Sequence, residues 1–169
     1  MVDVGRRCVA VHTRGDTLRY RSAIVGGVTR VVIVDDDVLV RSGLRQSLGA
    51  ASDIDVVAVS SGRQAMAVID RCRPDVVLLD LRMSDVDCLT VLGPIGVMAP
   101  SPVVAILTTC GSNEYVTAAL RCGVAGLIPK DADPQDLTRF VRMLAGRRIG
   151  AATGFPTPCL EDPGSRPAG

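Results

Sequence analysis

The stretch VVIVDDDVLV, residues 31–40, runs four apolar residues straight into three aspartates and then back into an apolar run. A continuous Val/Ile run of this length suits a strand of a parallel sheet buried on both faces. Three adjacent carboxylates at its end are unfavourable, because like charges repel and burial penalises ionised groups unless a cation or a proton compensates. The end of this strand is therefore a site candidate, with Asp35 and Asp36 at its tip and Asp37 placed to begin a helix.

Working outward, comparable apolar runs recur at RVVIV (30–34), IDVVAV (54–59), DVVLL (75–79), VVAIL (103–107) and AGLI (125–128). Helical patterns lie between them. Leu137, Phe140, Val141 and Leu144 fall at i, i+3, i+4, i+7 behind Asp133 as N-cap and Pro134 at the first helical position. Ser61 with Gln64 reads as a capping box opening the second helix, and Ser112 can cap a helix carrying Val116, Ala119 and Leu120. The segment CLTVLGPIGVM (88–98) predicts a short or kinked helix, since Gly93, Pro94 and Gly96 all oppose helix continuation. Strict alternation of strand and helix predicts an α/β fold, a doubly wound five-stranded parallel sheet with helices on both faces. Ligands of such sheets bind beyond the carboxyl ends of the strands. Asp35, Asp36, Asp80, Thr108 and Lys130 all fall at that edge.

The 169 residues suit one domain plus tails. We expect an N-terminal arm at 1–27, a domain at 28–147 and a Pro/Gly-rich tail at 148–169, with both ends poorly ordered and residues 1–27 contributing nothing to the fold. The formal charge of +1 gives no global reason to expect nucleic acid or an anionic membrane. Lys130 is the sole lysine among 19 basic residues, so any lysine-specific role falls to it. Six cysteines without CxxC spacing are expected as free thiols, with Cys72, Cys110 and Cys122 as small packing residues, and the single histidine disfavours a zinc site. Residues 88–113 carry no charge, but Pro94, Pro100 and Pro102 break the window, and no membrane span is expected. The Arg6–Arg7 pair lacks a following apolar h-region. A soluble cytoplasmic protein is the expectation.

Carboxylates from separate strands together with a hydroxyl and an ammonium have a physical use. The acids supply hard oxygen ligands for Mg²⁺, and a carboxylate can itself be the nucleophile that becomes an acyl phosphate. Phosphoryl transfer needs mainly positioning and charge neutralisation.

VVIVDDD, PDVVLLDLRM, VVAILTT and GLIPKD occur in that order over about 120 residues. Residues 28–147 thereby resemble the receiver domain of a bacterial two-component response regulator, and LLDLRM with IPKD is most similar to the LuxR-type branch. The resemblance implies the flavodoxin-like (βα)5 receiver fold, with Asp80 as phospho-acceptor. It implies Asp35 and Asp36 as Mg²⁺ ligands beside Asp80, the Arg82 backbone carbonyl as a further ligand, and Thr108 and Lys130 as partners of the phosphoryl group. A histidine kinase is the implied donor, with acetyl phosphate as a small-molecule substitute. The protein would not be an enzyme in the ordinary sense, only assisting its own phosphorylation and dephosphorylation. The chain departs from the family pattern where MPGMDG would stand, with Ser84 and Cys88 at the usual Pro and Gly, and at Leu127, where the family usually has a switch aromatic. A LuxR-type helix-turn-helix does not fit residues 148–169, so no direct DNA binding is expected, and output would pass through a protein contact, with another response regulator as a candidate partner.

Two other readings compete. A degenerate receiver would act as a phosphorylation-independent binding module. A haloacid dehalogenase-type phosphatase would use Asp35 and Asp37 as a DxD pair, but it leaves Asp80 idle and lacks a later strand-end acidic pair.

Overall fold

The computed structural model describes residues 27–109 and 113–147, with the side chains of 113–116 and 147 outside that description. Five strands alternate with five helices. β1 (Thr29–Val34) leads to α1 (Val38–Gly49), β2 (Ile54–Ser60) to a 3-10 turn (Gly62–Gln64) and α2 (Ala65–Cys72), and β3 (Val76–Asp80) to α3 (Cys88–Gly96). β4 (Val103–Thr108), α4 (Asn113–Arg121), β5 (Gly126–Pro129) and α5 (Pro134–Arg147) complete the order. All strand pairings are parallel, in the order β2-β1-β3-β4-β5. The chain thus reverses its winding at β1, and right-handed crossovers place helices on both faces of the sheet.

Period-2 alternation divides the core. Val32, Val34, Val77, Leu79, Val104 and Ile106 face α2, α3 and α4. Val31, Ile33, Val76, Leu78, Ala105 and Leu107 face α1 and α5. Because both faces are covered, β1 and β3 are buried along nearly their whole length, which explains their unbroken apolar sequence.

The helices begin mostly where the sequence indicates. Asp37 caps α1 by accepting from the Leu39 and Val40 amides at 2.7 and 3.3 Å. Asp133 accepts from Gln135 at 2.8 Å, with Pro134 opening α5. Leu137, Val141 and Leu144 are buried there and Phe140 is half-buried. α3 is short, nine residues with Pro94 inside, and its first turn is capped by Asp87.

Three expectations are corrected. The Ser61–Gln64 capping box does not form: Ser61 makes no side-chain cap bond, and residues 62–64 form the 3-10 turn instead. The Arg63 amide that a Ser61 cap could satisfy already donates to Asp85 of the β3–α3 loop at 3.1 Å. On α4, Ala119 and neighbouring Cys122 are buried while Leu120 is 49% exposed, because the i, i+3 pair turns inward and carries Leu120 to the surface. Val116 and Ser112 fall outside the described side chains. Finally, Cys72 and Cys88 are free thiols but Cys122 is disulfide-bonded. Burial pushes the Cys88 thiol up to about 11, so it stays a neutral packing group. Cys110 and the expected tails, apart from Gly27, lie outside the described residues. Among the described residues no helix is long and apolar enough to cross a membrane.

Candidate functional site

The carboxyl ends of β1 and β3 are adjacent, since Val34 pairs with Leu79, and the next residue of each strand is an aspartate. Asp35 is fully buried and Asp80 is 2% exposed, while Asp36 is half-buried. Their carboxylate oxygens come within 4.8 Å of one another. β5 ends beside them, and its following residue, Lys130, places Nζ 2.7 Å from Asp35 Oδ2 and 2.9 Å from Asp80 Oδ2. The Lys130 amide also donates to the Thr108 carbonyl at 2.9 Å, which extends the β4–β5 ladder and fixes where the lysine leaves the sheet.

The three consecutive aspartates are tolerated because each has a different task. Asp35 Oδ1 accepts from the Asp37 amide at 2.9 Å, Oδ2 faces Lys130, and the Asp35 carbonyl accepts from Arg41. Asp36 Oδ2 accepts from the Ser84 amide at 2.6 Å, across the gap to the β3–α3 loop. Asp37 points away as the cap of α1. Asp80 Oδ1 accepts from the Arg82 amide at 3.1 Å. Apart from the Lys130 ammonium, Asp35 Oδ2 and Asp80 Oδ2 have no partner among the described residues.

Electrostatics follows burial. Burial raises the Asp80 carboxyl pKa, with Asp35 adding to the shift and the Lys130 ammonium and Arg82 amide opposing it. Burial works against the Lys130 ammonium, but Asp35 and Asp80 outweigh it and its pKa is raised. The Ser84 hydroxyl and amide hold Asp36 below the usual carboxylate range. One ammonium thus serves two buried carboxyl groups, with a third alongside, so acidic groups outnumber the basic one in the cluster.

That donor set suits a small hard cation. Mg²⁺ takes oxygen ligands at about 2.0–2.1 Å and keeps several waters, so one or two carboxylates suffice to hold it. Three carboxylates this close, two of them with oxygens that meet only a lysine, fit the requirement with small adjustments of side chains.

The structure therefore brings together Asp35, Asp36, Asp80 and Lys130. Thr108 ends β4 at the same edge, but its hydroxyl donates to the Thr109 carbonyl at 3.2 Å rather than to the carboxylates. Arg82 contributes its amide to Asp80. Sequence motifs did not reveal Ser84, Asp85 or Arg41 as parts of the site's support. All three act with or on backbone groups, which leave no side-chain pattern in a sequence. The DxD pairing of Asp35 with Asp37 is not made, because the Asp37 carboxylate is engaged with helix amides.

A doubly wound parallel sheet with an acidic, lysine-bridged cluster at its carboxyl edge is the arrangement of a class of phosphoryl-accepting signalling domains. The chain belongs to the response regulator receiver domain family, whose sequence model matches residues 31–142. The Bacillus subtilis transcriptional regulatory protein YhcZ is 33% identical over 118 residues, covering 69% of this chain and 55% of that protein. The nitrate/nitrite response regulator NarL of Escherichia coli K12 is 30% identical, covering 68% of this chain and 54% of that protein. The DNA-binding transcriptional activator DevR/DosR of Mycobacterium tuberculosis is 35% identical, covering 72% and 57%. The chain thus spans about half the length of these relatives. Among solved structures, the receiver domain of AraT, a response regulator from Geobacillus stearothermophilus, superposes with a TM-score of 0.64 at 30% identity, covering 71% of this chain and 95% of that one.

Proposed function

We propose that this receiver domain takes a phosphoryl group onto Asp80 from the phosphohistidine of a histidine kinase, with Mg²⁺ held by Asp35, Asp36, Asp80 and the Arg82 carbonyl. The observation that carries the reading is the Lys130 ammonium lying between two buried carboxylates on adjacent strands. In the transfer an Asp80 oxygen forms a bond to phosphorus as the phosphorus–nitrogen bond to the donor imidazole breaks, and the imidazole leaves with that electron pair. Bound Mg²⁺ would supply charge neutralisation for the phosphoryl oxygens. Lys130 keeps its ammonium and can pair with a phosphoryl oxygen without leaving the site, because its carboxylate partners lie within 3 Å. Thr108 stands at the end of the neighbouring strand, and turning its hydroxyl from the Thr109 carbonyl would offer a donor to the phosphoryl group. The domain would act on its own phosphate only and turn over no free substrate. Its state would reach a partner through a protein contact, with a second response regulator as one candidate.

Incubation with Mg²⁺ and acetyl phosphate, followed by intact-mass measurement, tests the reading. The wild type should gain one phosphoryl group and Asp80→Asn none. An unmodified wild type, or an Asp80→Asn variant modified to the same extent, overturns it.

A further inference from the structure

The β3–α3 loop, residues 81–87, is tied down at three positions. The Arg82 amide donates to Asp80 at 3.1 Å, the Ser84 amide to Asp36 at 2.6 Å, and the Asp85 carboxylate accepts from the Arg63 amide at 3.1 Å. On its other side the loop presses on Gly62, where an added Cβ would lie 2.2 Å from Val86 Cγ1 and 2.7 Å from Asp85 Oδ1. The middle tie is the shortest of the three. It is also the one that joins the loop to a half-buried carboxylate of the acidic cluster, from a residue 48 positions away in sequence.

That bond restrains the Asp36 carboxylate: with Oδ2 engaged by a backbone N–H, the group is held beside Asp35 and Asp80. A carboxylate held by one oxygen has lost most of its rotamer freedom before any ion arrives, so less ordering remains to oppose binding. The Ser84 hydroxyl adds to the same anchoring, but the amide has the defined geometry. The contact depends on residue 84 having an N–H, which serine supplies and the proline usual in the family at this position cannot.

We propose that Ser84 is a positioning residue for the metal site, its backbone N–H orienting Asp36 and so setting the affinity of this domain for Mg²⁺. The inference rests on the receiver reading above, since it takes Asp36 as a ligand. Ser84 touches neither the phosphoryl group nor the ion; it acts through Asp36.

The test is calorimetric titration of the full chain with MgCl₂, in the wild type and in Ser84→Thr, Ser84→Ala and Ser84→Pro. Thr keeps both donors and should stay within about twofold of the wild-type Kd. Ala keeps the amide and should weaken binding by no more than about threefold. Pro removes both and should weaken it by about tenfold, the order expected for loss of the charge-assisted amide hydrogen bond at a partly exposed position together with the smaller hydroxyl contribution. At saturating Mg²⁺ the rate of phosphorylation by acetyl phosphate should be restored in Ser84→Pro, which separates a shifted affinity from a damaged nucleophile. A Ser84→Pro protein that binds Mg²⁺ as tightly as the wild type overturns the proposal, as does Ser84→Ala weakening binding as much as Pro. Should Ser84→Pro fail to fold, the amide proton of Ser84 decides. It should resonate downfield in the wild type and lose that shift in Asp36→Ala, and an unchanged shift overturns the proposal. A wild type that takes up neither Mg²⁺ nor phosphoryl refutes the receiver reading itself, whereas wild-type Mg²⁺ binding with an indifferent residue 84 refutes this inference alone.

Discussion

Replacing Lys130 by methionine would keep the length and apolar stem of the side chain while deleting the one positive charge between Asp35 and Asp80. At 2.7 and 2.9 Å and an effective dielectric of about 20, each ion pair is worth about 6 kcal/mol of gross attraction. Desolvation of the three groups offsets most of that, so the intact triad adds little net stability. Breaking it is different. Asp35 and Asp80 would be left 0% and 2% exposed with no cation, and removal of one partner from a buried pair costs about 3–5 kcal/mol. Against a typical net stability of about 5–15 kcal/mol this is a large fraction. Urea denaturation at pH 7 should show the midpoint falling by about 2 M, given a slope of about 1–3 kcal/mol per molar. Added Mg²⁺ should recover more stability in Lys130→Met than in the wild type, because the ion then neutralises carboxylates that nothing else does. A loss under about 1 kcal/mol without Mg²⁺, or equal gains with it, would refute the argument that Lys130 is what makes this acidic cluster tolerable.

Gly62→Ala should destabilise by about 1–3 kcal/mol, because the new methyl meets the stiff Val86 side chain at 2.2 Å and the β3–α3 loop must move; thermal melts check it. The bidentate pair of Arg142 with Asp53, at 2.7 and 2.8 Å, lowers the Asp53 pKa, so its contribution is present above the unfolded value of about 3.9 and lost as pH falls through the lower folded value. Asp53→Asn should therefore melt below the wild type at pH 7, with the gap closing below about pH 4; a constant gap would contradict this. A chain starting at Val28 should keep its melting temperature and phosphorylation rate, since β1 starts at Thr29 and the Thr29 amide already has its partner in the Asp53 carbonyl at 2.8 Å. A loss above about 1 kcal/mol would move the domain boundary.

Much of this protein is legible without coordinates. Unbroken apolar runs of strand length separated by capped helical patterns specify an alternating α/β sheet, because burial on both faces removes the need for polar alternation. That Asp35, Asp36, Asp80, Thr108 and Lys130 share one edge is legible too, since residues at the carboxyl ends of parallel strands must lie along it whatever the packing details. What tertiary structure decided is who meets whom across that edge. Ser61 and Gln64 carry a capping signal, yet the Arg63 amide goes to Asp85, a residue brought close only by packing of the β3–α3 loop on Gly62. Leu120 fits an apolar stripe, yet the rotation of α4 that buries Ala119 and Cys122 turns it outward. Three adjacent aspartates announce a site, but their division into a lysine partner, a loop-anchored carboxylate and a helix cap depends on Lys130 and on the Ser84 amide. Local pattern encodes which elements form because propensity and burial act over neighbouring residues. Contacts between segments far apart in sequence, and above all those made by backbone amides that every residue carries, are chosen only when the whole chain packs.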